Sequence, residues 1–240
     1  MPYGGLVKRA PLPGWAVEEI RRARLAPKPT QWDYLHLAAL MRGLGPMLQG
    51  DEFRGPTLDL YCGTQPYREL IGAKPIWGLD LDRHFGRADL VGSIPLPFRN
   101  RTFGLILCTQ ALYLAADPLT VVSEMYRVLR PGGWALATVP HIFRRELPID
   151  RRYAPRQLVE LFRAWADVRV RGLGGPGTGI AYALGSVGAA AARRSRLARR
   201  LSPPLAIVLN GAGAVLNLAL RPFAPRWPAS LMVEARRPED

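Results

Sequence analysis

The residues best placed to do chemistry lie in LDLYCGTQPYR, residues 58–68. A short apolar run ends there in a tight turn at Gly63, and residues 65–71 read as the start of a helix. A turn of this kind brings backbone N–H groups and a helix N-terminus to the carboxyl edge of a sheet, where a small polar ligand can sit. Gly63 leaves the backbone bare for close approach. Asp80 follows Asp59 by 21 residues and closes a second apolar run, in WGLDLD. An acidic side chain at that point accepts two hydrogen bonds from a ribose diol. The two features together imply a nucleoside-containing ligand.

A sheet has to hold these residues, and the hydropathy pattern predicts one. Short apolar runs at 56–61, 75–79, 88–91, 102–108, 133–139, 166–170 and 230–235 read as strands. Helical patterns fall at 119–129 and 156–165, and two more, at 13–24 and 32–48, precede the sheet. Strands alternating with helices at this spacing predict an α/β doubly wound sheet, which binds ligands outside the carboxyl ends of its strands.

Two cofactor classes compete for that edge. A dinucleotide site wants G-x-G-x-x-G, yet after Gly63 no glycine follows before Gly72. S-adenosylmethionine needs instead an acidic residue at the first strand to face its ammonium end, and Asp59 meets that need. At this point the chain resembles the class I S-adenosylmethionine-dependent methyltransferases, in a type-11-like branch whose first motif reads D-x-G-C-G-T-x-P-Y-R. The likeness continues through GLDLD (78–82), IPLPF (94–98), TFGLILCTQAL (102–112), SEMYRVLRPGGWALATVP (123–140) and DRRY (150–153). The E-x-x-R-V-L-R-P-G-G run is its most specific part. The resemblance implies a Rossmann-like, seven-stranded sheet with an antiparallel final hairpin. It also implies that Asp59, Tyr61 and Gly63 lie under the methionine part, that Asp80 bonds the ribose with Leu81 against the adenine, that Ser93 and Ile94 flank the adenine, and that Cys108 and Thr109 approach the transferring methyl.

The chain departs from the family pattern around that site. The glycine expected after Asp59-Leu60 is Tyr61; the family's later glycine is Gln65, where a branch with Gln-Pro-Tyr-Arg is normal. The family's Phe-Asp is Phe103-Gly104, its acidic residue before the Leu-Pro is Gly92, and its Glu-His pair is Tyr113-Leu114. A phenol at position 61 would crowd the methionine portion, so a methyltransferase-like protein without catalysis stands as the alternative reading.

Methyl transfer asks a protein mainly to orient two reactants and exclude water, with a base only where the acceptor still carries its proton. Candidates for the base are His141, after the fifth strand, and Tyr113, with Asp150 and Tyr153 nearby in sequence. Arg151, Arg152 and Tyr153 are the candidates for holding an acceptor. His36, His84 and His141 show no metal-ligand spacing. The Asn/Asp-Pro-Pro-aromatic tetrad of base-amino methylation is absent, and the two cysteines lie inside fold motifs. A small-molecule, glycan or lipid-linked acceptor is therefore expected, with RNA a lesser alternative resting on charge alone.

The 240 residues carry 33 Lys+Arg against 19 Asp+Glu, a net charge of +14. Residues 141–240 hold 17 basic and 7 acidic residues, so +10 of that excess is C-terminal. An anionic partner is implied. An apolar content of 48% excludes global disorder, and two cysteines exclude a disulfide scaffold. With no secretory leader legible at 1–12, a cytoplasmic protein is expected. Two uncharged stretches, 172–192 and 201–220, flank RRSRLARR at 193–200. The Pro pair at 203–204 leaves 16 residues before Arg221, roughly 24 Å of helix, short of a ~30 Å hydrocarbon core. Leu205, Leu209, Ala212, Leu216 and Leu220 share one face and Asn210 and Asn217 another, an amphipathic pattern that predicts a helix packed on the sheet or capping the active site, with peripheral membrane contact through 193–220 as the alternative. The organisation expected is a helical cap at 1–50, a cofactor-binding core at 51–172, a Gly/Ala-rich insertion at 173–228 and a final strand and tail at 229–240.

Overall fold

The computed structural model describes residues 10–50, 53, 55–72, 74–142 and 150–239. Seven strands run in the order β3-β2-β1-β4-β5-β7-β6: β1 (Thr57–Leu60), β2 (Ile76–Asp80), β3 (Leu90–Val91), β4 (Phe103–Thr109), β5 (Leu129–Pro140), β6 (Ala166–Leu173) and β7 (Ser230–Arg236). All neighbouring pairs are parallel except those of β7, which runs antiparallel to both β5 and β6. This is the Rossmann-like methyltransferase sheet expected. Each strand turns alternate side chains to opposite faces. Ile106, Cys108, Ala135, Ala137 and Val139 therefore enter one core, while Leu105, Leu107 and Leu136 enter the other.

The first core is covered by α3 (Pro118–Val128) and α4 (Pro155–Leu161), which bring Val121, Val122, Met125 and Leu158. Asp117 caps α3, its side chain accepting from the N–H groups of Leu119 and Thr120. The second core is covered by α2 (Tyr34–Leu48), whose Leu37, Leu40, Leu44 and Leu48 meet Tyr67 and Ile71. Helix α1 (Gly14–Leu25) precedes it. The helix expected over 65–71 does not form. Gln65 has φ +47° and Pro66 follows, and the segment closes through separate three-residue turns, Gln65 N–H to Cys62 O at 2.8 Å and Leu70 N–H to Tyr67 O at 2.9 Å. Helix α2 occupies the face that this helix would have covered.

The motif E-x-x-R resolves into a structural clamp. Glu124 accepts from the N–H of Leu96 at 2.6 Å and from Arg127. Arg127 donates to the carbonyls of Phe98 at 2.8 Å and Leu96 at 2.9 Å, fastening the 96–100 loop to α3. Gly133 is required where β5 bends beside β4. A Cβ there would lie 2.9 Å from Arg130 O, closer than real Cβ atoms come, and a tight 3.0 Å from Gly104 O.

Between β6 and β7 stand α5 (Pro176–Arg194) and α6 (Arg196–Ala219), packed on each other as a hairpin. One sequence expectation is corrected here. Helix α6 runs through Pro203 and Pro204 and spans 24 residues, about 36 Å at 1.5 Å per residue. Along α6, Asn210 is buried, Leu209, Leu216 and Leu220 are half-buried, and Leu205 is exposed.

Candidate active site

The carboxyl ends of β1, β2, β4 and β5 open into a cavity of about 360 Å³, within the range typical of small-molecule sites. Its floor is the loop after β1. Tyr61, Gly63 and Gln65 occupy the family's three glycine positions, and their φ angles are +57°, +53° and +47°. The backbone has thus kept the left-handed shape that glycine normally supplies, with side chains placed on two of the three positions. A Cβ on Gly63 would make only ordinary contacts, 3.8 Å to Phe85 and 4.0 Å to Arg24, so it is the left-handed φ and not crowding that favours glycine there. The Gln65 amide instead fills the place where a side chain on Gly78 would be.

Asp80 is held at the end of β2 by the same loop. Gly63 N–H donates to one carboxylate oxygen at 2.9 Å and Leu81 N–H to the other at 2.8 Å. Burial raises its carboxyl above the ordinary value against these two hydrogen bonds, which pull it down. Each oxygen keeps a further lone pair for a hydroxyl donor. Asp59 is 1% exposed, and its Oδ2 has no hydrogen-bond partner among the described residues. Burial, and then the negative charge of Asp80, push its carboxyl well above the usual range.

The cavity brings together Tyr61, Gly63, Asp80, Leu81, Thr109, Tyr113 and Arg152 of the residues singled out in the sequence. Arg152 pairs with Asp150 and lies 5.5 Å over the Tyr113 ring, so its charge is largely spent inside the protein. Asp59, Ser93, Ile94, Cys108, His141, Arg151 and Tyr153 are not among the lining residues. Ser93 is exposed and Ile94 packs against the first core. Cys108 is fully buried, and desolvation pushes its thiol up to about 12; the Cys62 thiol, on the cavity wall, is raised as well, so both are protonated at neutral pH. The His141 ring meets the Tyr153 carbonyl at 3.0 Å through Nδ1. Arg151 fastens the 113–116 segment, donating to Ala115 O at 3.2 Å and Ala116 O at 2.7 Å. Tyr153 is buried, and desolvation lifts its phenol to about 12.

The upper wall was not legible beforehand. His36, Leu37 and Leu40 reach the cavity from α2, Asp33 from the position just before it, Arg24 from α1 and Tyr182 from α5. The rings of His36 and Tyr182 stack with centroids 4.4 Å apart and planes 2° from parallel. A histidine within the apolar run of 34–48, and a single aromatic within the Gly/Ala run of 172–192, were the only signals in the sequence. Among the described residues, no cluster of acidic, histidine and cysteine side chains could hold a metal ion.

Residues 58–137 match the family described as "Methyltransferase domain". That match covers 80 of the 240 residues, and it is a likeness of this segment to the methyltransferase family. Demethylmenaquinone methyltransferase of Anoxybacillus flavithermus (strain DSM 21510 / WK1) is 32% identical over 96 residues, covering 32% of this chain and 40% of that protein. The likeness therefore spans well under half of the curated relative. Among solved structures, the [4+2]-cyclase SpnF matches with a TM-score of 0.57 at 18% identity, covering 97% of this chain and 100% of that one. Phosphoethanolamine N-methyltransferase 2 of Haemonchus contortus, solved with S-adenosyl-L-methionine, matches with a TM-score of 0.52 at 16% identity, covering 85% of this chain and 52% of that one. At these identities the two structures establish the methyltransferase fold and not the reaction.

Proposed function

We propose that the protein transfers a methyl group from S-adenosylmethionine to a small-molecule acceptor with an apolar body. The observation that carries this reading is the pairing of Asp80 with the left-handed loop. Two backbone N–H groups orient the carboxylate at the cavity's edge, and the remaining lone pairs suit a ribose diol. Leu81 and Phe85 supply apolar surface for an adenine, and Tyr61, Cys62 and Thr109 border the place of the methionine end. The cofactor, when bound, supplies an electrophilic methyl on a sulfonium centre. The protein's part is to align an acceptor with it and exclude water. Leu37, Leu40, Tyr113, Leu114 and Tyr182 give the acceptor half an apolar and aromatic wall. A ring-like acceptor of the quinone kind, free or lipid-linked, suits that wall better than a glycan does, and the name of the A. flavithermus relative points the same way. Tyr113 and His36 are the proposed acceptor-side groups, and His141 supports the 150–153 segment through Tyr153.

The same reading keeps 1–50 as a cap, 51–172 as the cofactor core, 173–228 as the insertion that completes the acceptor wall and 229–240 as the last strand and tail; positions 1–9 lie outside the described residues. It also keeps a cytoplasmic protein in peripheral contact with membrane through 193–220.

Calorimetric titration with S-adenosylhomocysteine tests it. Wild type should bind in the micromolar range. Asp80→Ala should weaken binding by about a hundredfold or more, from two hydrogen bonds to a charged group at about 1.5–3 kcal/mol each. Tyr61, standing where the family has glycine, favours the second reading of a methyltransferase fold without catalysis. Absence of wild-type binding, restored in Tyr61→Gly, would establish that reading.

A further inference from the structure

Helices α5 and α6 are built inside out. Along α6 the inward line is Ala206, Asn210 and Gly213, with Asn217 beside it. Asn210 is 3% exposed and donates to the carbonyls of Pro29 at 2.9 Å and Gln31 at 2.8 Å. Asn217 accepts from Thr178 N–H at 3.1 Å and donates to Thr178 Oγ1 at 2.8 Å. Along α5 the inward line is Gly177, Ala181 and Gly185. The outward line of α6 holds Leu197, Leu201, Leu205, Val208, Val215 and Leu218, the last three 69%, 69% and 73% exposed. Ile180, Leu184 and Val187 continue the outward surface on α5. Water selects the reverse arrangement, and an apolar face of this extent on a folded chain marks a contact with something apolar.

The charges say what that something is. No acidic residue occurs between Asp167 and Glu234. Five exposed arginines, Arg193, Arg194, Arg196, Arg199 and Arg200, sit at the hairpin's tip, and Arg221 and Arg226 lie exposed at its other end. Phe223 and Trp227, both partly exposed and stacked at 6.0 Å, stand beside the latter pair. A surface that is apolar along its length, cationic at both ends and aromatic at one fits an anionic lipid bilayer, where acyl chains take the aliphatic line and head groups take the arginines. A second copy of the chain fits worse, because either antiparallel or parallel pairing of two hairpins sets arginines against arginines.

We infer that the outer face of the α5–α6 hairpin docks on the surface of an anionic bilayer, lying in its interface without crossing it. Helix α6 is long and apolar enough to span, with a mean hydropathy of 1.4 over its most apolar 18 residues. Its inner face is nevertheless tied to the folded domain by Asn210, and its first two turns carry Arg196, Arg199 and Arg200. Docking in the interface satisfies both faces at once. Tyr182, on the same hairpin, lines the cavity, so a docked hairpin sets the acceptor wall beside the bilayer. The docking stands on the hairpin alone; only this route for an apolar acceptor rests on the methyl-transfer reading.

The test is co-sedimentation of the full chain with vesicles of phosphatidylcholine alone or with 30% phosphatidylglycerol. Three proteins are compared: wild type, a face variant (Val208→Glu, Val215→Glu, Leu218→Glu) and a tip variant with the five arginines changed to Gln. All substituted positions are exposed and outside the cavity, so thermal melting and S-adenosylhomocysteine titration report folding and cofactor binding separately. Wild type should bind the anionic vesicles at least tenfold better than the neutral ones and be released by alkaline carbonate. Each variant should lose at least tenfold of that partition while melting as wild type does. Resistance to carbonate would overturn interfacial docking in favour of a span. Vesicle binding lost only in the tip variant and displaced equally by RNA would mean a general polyanion surface. A wild-type dimer that becomes monomeric in the face variant, with no vesicle binding, would assign the face to a second copy.

Discussion

Substitution of Tyr61 separates the backbone of the first loop from the side chain it carries. The residue holds φ +57°, a left-handed conformation, while its ring is 8% exposed and packs in the first core. Tyr61→Ala removes the ring and keeps the strained backbone, so the loss should be that of a large buried aromatic, about 3–5 kcal/mol. Tyr61→Gly removes the ring and the strain together. Left-handed backbone costs a non-glycine residue about 1–2 kcal/mol, and the looser unfolded chain of glycine takes back about 0.4–1 kcal/mol. Glycine should therefore be the more stable of the two variants by about 0.5–1 kcal/mol, although both fall below wild type. Urea unfolding followed by tryptophan fluorescence reads the two differences as shifts in midpoint at constant slope. Thermal midpoints should fall by about 2–4 °C per kcal/mol in a chain of this size. The Gly variant should also bind S-adenosylhomocysteine more tightly than wild type, since the ring no longer stands at the edge of the cavity. Equal stability of Ala and Gly variants would refute the left-handed loop, and an Ala variant as stable as wild type would refute the packing of the ring.

Two further perturbations probe the site's charge and the hairpin. Asp59 has its carboxyl held well above the ordinary value by burial and then by Asp80. A group raised in this way stabilises the fold below the unfolded value of about 3.9 and loses that contribution as pH climbs through the folded value. Asp59→Asn removes the titration, so its stability relative to wild type should improve as pH rises above about 4; a difference independent of pH in thermal melts would count against a buried, raised carboxyl. In the hairpin, a Cβ on Gly177 would fall inside the carbonyl oxygen of Gly213 and 2.9 Å from the Asn217 nitrogen. Gly177→Ala should cost about 1–3 kcal/mol as the helices part, and an unchanged melting temperature would mean that α5 and α6 do not cross so closely.

How much of this was written in the chain can be judged from single residues. The place of Asp80 at the cavity's edge was legible because the apolar run of the second strand ends at it, and such sheets open their sites at the carboxyl ends of strands. The strands were legible because apolar runs of four to seven residues between turn signals leave few alternatives. The helix over 65–71 failed because Gln65 takes a left-handed φ of +47° before Pro66, and the apolar Tyr67 and Ile71 are buried against α2 from a non-helical segment. His36 and Tyr182 stand 146 positions apart, and nothing local to either indicates that their rings meet over one cavity.

The α5–α6 hairpin divides the two sources of information most sharply. Composition alone settled that residues 172–220 form uncharged segments around a block of arginines, since charge and hydropathy are properties of side chains taken one at a time. Periodicity then placed leucines on one side of α6 and asparagines on the other. Only the tertiary structure decided which side turned inward. Asn210 found two carbonyls at residues 29 and 31, and Gly177 and Gly213 let the helices close on each other. A helical pattern fixes the angle between two faces, but which face is buried depends on the surface offered by the rest of the chain, and here that surface offered hydrogen-bond acceptors and room only for small residues.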